Sequence, residues 1–273
     1  MTPADQQGWS GRKEAVAIGG TEIAYVEIGG SEPALLLIHG FTDTSRSFSL
    51  LAPHLAGRRL IIPDLPGHGD SPSTTGGMRP KDFAVDVARL IEALDLDRPI
   101  VVGHSMGGMI AIELAAGRPD LVGGLVLLAT TLRVDVTDED AVAIGVLALQ
   151  DPISPTDPFY DFWHACEVPV APDFLARTAE EASAMPAGSW RSIFDEVRRA
   201  DLTERVRKVR ARTLIISGGR DPLFDRTHQE RLRATIPAAG FVEAEQCGHN
   251  VHWENPALVA EAIIGHFDDL AGP

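Results

Sequence analysis

Short, wholly apolar runs alternate with amphipathic ones along this chain. Residues 34–38 (Ala-Leu-Leu-Leu-Ile) and 59–62 carry hardly any polar position, which suits strands buried on both faces of a parallel sheet. Residues 15–18 and 23–28 read as a hairpin joined at Gly19-Gly20. Residues 80–94 switch to helical spacing, with Phe83, Val87, Leu90, Ile91 and Leu94 on one face. Further apolar runs at 99–103, 122–128, 213–217 and 241–244 predict strands, and Pro256–Phe267 predicts a closing helix. The rhythm is two strands followed by repeated βα units, hence an α/β fold with a mostly parallel sheet.

The rhythm stops between Thr130 and about Arg210. This stretch contains Pro152, Pro155, Pro158, Pro169, Pro172 and Pro186, and it concentrates aromatic residues, among them Phe159, Tyr160, Phe162, Trp163, Phe174, Trp190 and Phe194. Helices are expected at 140–150, at Pro172–Ser183 and at 190–200. The expected division is a core of residues 1–130 and 211–273, with residues 131–210 inserted as a helical cap that excludes water and shapes a pocket.

Chemistry enters at Gly103-His104-Ser105-Met106-Gly107, between a buried strand and an apolar helix expected over 109–116. A Gly-x-Ser-x-Gly turn in that setting forces a sharp reversal and pushes the serine hydroxyl above the sheet edge. Glycines on either side are needed because a side chain there would strike the neighbouring strand and helix. The amides that follow lie at a helix N-terminus, which favours developing negative charge. Two partners lie downstream, each just past a strand: Asp221 after residues 213–217, and His249 after 241–244. Ligand sites of open α/β sheets gather at those strand ends. The order Ser105, Asp221, His249 is the order of a nucleophile, acid and base on such a sheet.

These motifs resemble those of the α/β-hydrolase family, in particular its single-domain esterases, lactonases and perhydrolases. Leu37-Ile38-His39-Gly40-Phe41 resembles the family's oxyanion loop, and Asp64-Leu65-Pro66-Gly67-His68-Gly69-Asp70-Ser71 the loop after its fourth strand. Gly248-His249-Asn250 with Trp253-Glu254-Asn255-Pro256 resembles its histidine loop. The likeness runs from about Glu22 to Leu270, apart from the middle segment. It implies an eight-stranded, mostly parallel sheet flanked by helices, with an inserted helical cap. It also implies an oxyanion hole made by the backbone N–H groups of Phe41 and Met106. Related dehalogenases and epoxide hydrolases place an aspartate where this chain has Ser105, so a serine points to acyl transfer.

Composition narrows the setting. At 273 residues and 44% hydrophobic, the chain can bury a large core as one domain. A formal charge of −15 argues against a nucleic-acid partner. No apolar run is long enough to span a bilayer, and residues 1–20 lack the pattern of a secretory signal. Two cysteines, Cys166 and Cys247, do not form a disulfide framework, so a cytoplasmic location is expected.

Several positions offer rival roles. His252 lies three residues from His249 and is a second candidate base. Asp225 is better read as a helix N-cap than as the triad acid. His39, His68 and His104 have a loop-orienting hydrogen bond as their simpler role, although His39 is also placed among the pocket residues with Trp163, His164 and Trp190. Cys247, His249 and His252 match no common zinc spacing, and Gly67-His68-Gly69 lacks the lysine of a phosphate loop. No metal or organic cofactor is expected. The expected function is hydrolysis of a small or medium carboxylic ester or lactone through an acyl-enzyme on Ser105. The alternatives are C–C cleavage of a β-diketone-type substrate, for which Arg177 or Arg191 could bind an acid group, perhydrolysis, and a receptor built on the same scaffold.

Overall fold

The computed structural model describes residues 6, 8–73 and 77–267. The outermost parts of the expected core, residues 1–5 and 268–273, lie outside the described residues, as does the far end of the family likeness at Leu270.

Eight strands form one sheet: β1 (Lys13–Ile18), β2 (Thr21–Ile28), β3 (Ser31–Ile38), β4 (Arg58–Pro63), β5 (Ile100–His104), β6 (Gly124–Leu128), β7 (Arg212–Gly218) and β8 (Gly240–Ala244). Their spatial order is β1-β2-β4-β3-β5-β6-β7-β8. The pairs β1/β2 and β2/β4 are antiparallel, and all later pairs are parallel. The apolar runs read from the sequence explain why. Alternate residues of β3 to β7 point to opposite faces, and both faces are covered. Leu36, Ile38, Val101, Leu125, Leu127 and Ile215 pack on one side with the helices α1 (Pro80–Ala93) and α2 (Met106–Gly117). Leu35, Leu37, Val102, Val126, Leu128 and Ile216 pack on the other with α10 (Pro256–Phe267). Each such side chain, wholly removed from water, stabilises the fold by about 1.5–3 kcal/mol.

Between β6 and β7 run five helices: α3 (Ala141–Ala148), α4 (Phe159–Trp163), α5 (Pro172–Ser183), α6 (Ala187–Arg199) and α7 (Thr203–Val206). After β7 follow α8 (Arg226–Thr235), which Asp225 caps by accepting His228 N–H at 3.2 Å, and α9 (Val251–Glu254), ahead of α10.

Most differences from the sequence reading sit at element ends. The helix expected over 109–116 starts at Met106, because the elbow feeds directly into it despite the poor helix propensity of Gly107 and Gly108. The helix expected over 140–150 stops at Ala148, where Leu149 is already extended, two residues before Asp151-Pro152. The helix expected over 190–200 begins three residues earlier, directly after Pro186. The strand expected over 122–128 begins at Gly124, since Gly123 N–H turns to the carbonyl of Pro99 at 3.0 Å. The short helices α4 and α7 carried no expectation; four or five residues are too few for a 3.6-residue period to register.

Candidate active site

Four loops at the carboxyl ends of the parallel strands β3, β5, β7 and β8 converge on one small cavity. Ser105 stands between β5 and α2 with φ 52° and ψ −118°, a conformation that L-residues rarely adopt. The surroundings hold it there. Its N–H donates to the Leu128 carbonyl at 3.0 Å, and its own carbonyl accepts from Gly108 N–H at 2.9 Å and Thr130 Oγ1 at 2.7 Å. A side chain on Gly103 would run into the Gly107 carbonyl. One on Gly107 would run into the Ile38 carbonyl and stand 2.6 Å from that of His39. The two glycines thus let α2 press against both β5 and the end of β3, as the spacing predicted.

Asp221 follows β7 with its side chain fully buried. One oxygen accepts the N–H groups of Leu223 and Phe224 at 2.8 and 2.9 Å, and the other accepts His249 Nδ1–H at 2.9 Å. Nδ1 as donor leaves Nε2 of a neutral His249 with a free lone pair. His252, the rival base, points elsewhere. It is wholly buried, does not line the cavity, and shares a hydrogen bond of 2.9 Å with Ser47 Oγ, which donates onward to Asp43 at 2.9 Å. Burial pushes the His252 imidazole down to about 3 and the Asp43 carboxyl up to about 6.

The loop after β3 is held by histidines. His39 Nδ1–H donates to the Gly40 carbonyl at 2.8 Å, while its Nε2 accepts Leu65 N–H at 2.9 Å. The Gly40 carbonyl belongs to the same peptide unit as Phe41 N–H, so a donor on that oxygen polarises the amide toward stronger donation. His68 Nε2–H donates to the Phe41 carbonyl at 2.7 Å. His104 Nε2–H reaches the His249 carbonyl at 3.2 Å. The Met106 N–H, first in α2, is one of the helix-end donors that no intrahelical carbonyl can satisfy.

The cavity has a volume of about 20 Å³, room for one water-sized group. Its walls are residues 40–43, His104 and Ser105, Leu223, His249 and Asn250, Trp253, and Trp163 with His164 from the inserted segment. A larger concavity of about 780 Å³ runs openly along α1 and the end of α2 and holds none of these groups, so the converging side chains rather than size locate the site. Of the four expected pocket residues, Trp163 and His164 line the cavity. Trp190 does not: it is fully buried and packs edge-on behind Phe41 at 5.5 Å. His39 does not either, since both its ring nitrogens are committed to backbone groups.

Several contacts here carried no expectation. Trp163 Nε1–H donates to Thr42 Oγ1 at 2.8 Å, closing the inserted segment onto the loop after β3. Arg46, 2% exposed, binds Glu181 of α5 at 2.6 Å and draws the same two parts together. Glu254 accepts Gly248 N–H with both oxygens, at 3.1 and 3.0 Å, and Val168 N–H at 2.9 Å, pinning the backbone just before His249 to the insertion. Only the long-range pairing reveals these roles; Glu254 stood in the histidine-loop motif without one. Conversely, Arg177 pairs with Glu180 on the surface and Arg191 donates to the Leu149 carbonyl, so neither expected anion-binding arginine reaches the cavity. Among the described residues, no helix is long and apolar enough to cross a membrane and no group of three or more His, Cys, Asp or Glu side chains converges as a metal requires.

Comparison with known proteins agrees with this geometry. Residues 33–256 match the family described as alpha/beta hydrolase fold. The chain is 34% identical over 256 residues to lipase LipV of Mycobacterium tuberculosis (strain ATCC 25618 / H37Rv), covering 86% of this chain and 94% of that protein. The crystal structure of a membrane phospholipase A, a bacterial virulence factor, superposes with a TM-score of 0.82 at 28% identity, over 98% of this chain and 89% of that one. The enol-lactonase of Burkholderia xenovorans LB400 shares the fold at a TM-score of 0.79 and 22% identity, over 93% of this chain and 100% of that one. The elbow, the parallel sheet and these likenesses together make this chain a member of the α/β-hydrolase fold family and a hydrolase of that type.

Proposed function

We propose that this protein is a serine hydrolase of small carboxylic esters or lactones, with Ser105 as nucleophile, His249 as base and Asp221 as the acid that orients it. The observation that carries this reading is the 2.9 Å His249–Asp221 pair opening onto the same cavity as a serine held at φ 52°. His249 Nε2 takes the Ser105 Oγ proton as the oxygen attacks the ester carbonyl. The tetrahedral oxyanion is bound by Phe41 and Met106 N–H groups. Collapse breaks the C–O bond to the alcohol, which leaves with the proton from His249. Water then attacks the acyl-serine with His249 again as base, releasing the acid and restoring Ser105. The Asp221 carboxylate orients the ring and stabilises the imidazolium. Residues 131–210 act as the cap, and Trp163 must move from Thr42 for a substrate larger than the closed cavity to enter. Both cysteines are free, which fits a cytoplasmic location.

C–C cleavage of a β-diketone-type acid is disfavoured by the absence of any arginine or lysine among the described cavity residues. A receptor role would show slow or absent turnover. Purified protein and Ser105→Ala assayed side by side on p-nitrophenyl butyrate test the proposal: steady turnover abolished in the variant supports it, and equal rates in both overturn it.

A further inference from the structure

Among the described residues, His164 Nε2 and the Tyr160 hydroxyl are two of the buried polar atoms near the cavity that have no hydrogen-bond partner. His164 ends α4, its N–H donating to the Tyr160 carbonyl at 2.9 Å, and its side chain lines the cavity at 6% exposure. Its Nε2 is buried with no hydrogen-bond partner among the described residues, and the same holds for the hydroxyl of Tyr160, whose ring lies 5.1 Å away. The His164 ring lies against Tyr160 and Trp253, the latter edge-on at 5.8 Å. A buried polar atom left unpaired is costly, and such atoms in a site wall are accounted for when a ligand group completes them.

We infer that His164 is a specificity-determining residue that receives an uncharged carbonyl or hydroxyl oxygen of the substrate, outside the scissile ester, so that the site selects neutral polar esters over anionic ones. This rests on the serine ester hydrolase reading above. Burial pushes the His164 imidazole down to about 4, so at neutral pH it offers one N–H and one lone pair, the complement of a hydroxyl or carbonyl rather than of a carboxylate. Among the described residues, nothing around the cavity would neutralise an anion. Its wall carries the Asp43 carboxyl and no lysine or arginine. Three arginines of the insertion engage other groups: Arg177 pairs with Glu180, Arg191 donates to the Leu149 carbonyl, and Arg198 pairs with Asp138.

Three ethyl esters of similar acyl length separate the possibilities: ethyl pentanoate, ethyl 4-oxopentanoate and monoethyl succinate. Hydrolysis is followed by proton release in a pH-stat and normalised to each ester's hydroxide-catalysed rate. The full chain should favour the 4-oxo ester over the pentanoate by about twofold to tenfold in kcat/KM, the range of one net hydrogen bond. The succinate should fall at least roughly tenfold below the 4-oxo ester, since burying its charge has no compensation. In His164→Phe the 4-oxo/pentanoate ratio should drop to about one, and in His164→Gln part of it should return. A native ratio of one or less, a ratio unchanged in His164→Phe, or a succinate as good as the 4-oxo ester would overturn the inference. A fluorophosphonate probe read by intact mass keeps the underlying reading separate. Labelling that Ser105→Ala abolishes, with no substrate preference, removes only the role of His164. No labelling, or labelling unaffected by Ser105→Ala, removes the serine mechanism and this inference with it.

Discussion

Glu254 gives the sharpest test of how the site is held. The side chain is 7% exposed, and its two oxygens take Gly248 N–H at 3.1 and 3.0 Å and Val168 N–H at 2.9 Å. Replacing it with glutamine keeps the volume but turns one acceptor into an NH₂ group. Whichever way the amide rotates, that group faces Gly248 N–H, donor against donor, and in one orientation it also faces Val168 N–H. In the better orientation the remaining oxygen still accepts both N–H groups, but as a neutral rather than a charged acceptor, weaker by about 1 kcal/mol for each, and beside a donor–donor contact, so Glu254→Gln should be destabilised by about 2–3 kcal/mol. For a chain of this size that corresponds to a fall in Tm of roughly 5–10 °C. The kinetic effect should be distinct. Gly248 precedes His249, whose bond to Asp221 spans 2.9 Å, and a misplacement of about 1 Å can cost on the order of a hundredfold in rate. We therefore expect kcat on p-nitrophenyl butyrate to fall tenfold to a hundredfold, by order of magnitude, with KM changed less than about threefold. Differential scanning calorimetry and steady-state kinetics on the same preparation read both effects. A Tm within about 1 °C of the native protein would refute the energetic account. A lowered Tm with unchanged kcat would show that Glu254 stabilises the loop without positioning His249.

Asp221→Asn should leave the protein folded but lower kcat by roughly a thousandfold or more, because the imidazole loses the partner that fixes its tautomer; stopped assays over long times measure the residue. Gly107→Ala should abolish folded expression or cost several kcal/mol, since its methyl group meets the backbone carbonyls of Ile38 and His39, which cannot move without parting α2 from β3; circular dichroism of purified protein decides, and a Tm near native would refute the packing. Trp163→Ala, which breaks the 2.8 Å bond to Thr42, should raise the octanoate-to-butyrate ratio of kcat/KM severalfold, whereas an unchanged ratio would mean that Trp163 does not limit acyl size. Acid should destabilise the fold: His164 and His252 are held down to about 4 and about 3, from 6.5, so the unfolded chain binds protons below pH 6.5 that the native state refuses. Each should cost about 2 kcal/mol at pH 5, with Asp43, raised to about 6, offsetting about 1 kcal/mol of the total as it takes up its proton; urea midpoints equal at pH 7.5 and pH 5 would contradict this.

Much of this protein was legible along the chain because its signals are local. Strands buried on both faces must be apolar throughout, which is why β3 to β7 stood out. The elbow needs glycine on each side of Ser105 for reasons of volume within five residues, and Asp221 and His249 each follow an apolar run that ends at the sheet edge. Asp225 read as a cap, and is one, because capping depends on the next three residues. What the tertiary structure alone decided are relations between distant segments. Nothing near Trp190 or His39 in sequence says that one is buried behind Phe41 and the other engaged by Gly40 and Leu65. Nor does anything near Arg191 show that it binds the Leu149 carbonyl rather than a substrate. The links from Glu254 to Gly248 and Val168, from Arg46 to Glu181 and from Trp163 to Thr42 depend on how the insertion settles on the core. Aromatic and proline content marks that stretch as packed and interrupted, but carries no period from which a register could be read, so its contribution to the cavity emerges only when the chain is folded.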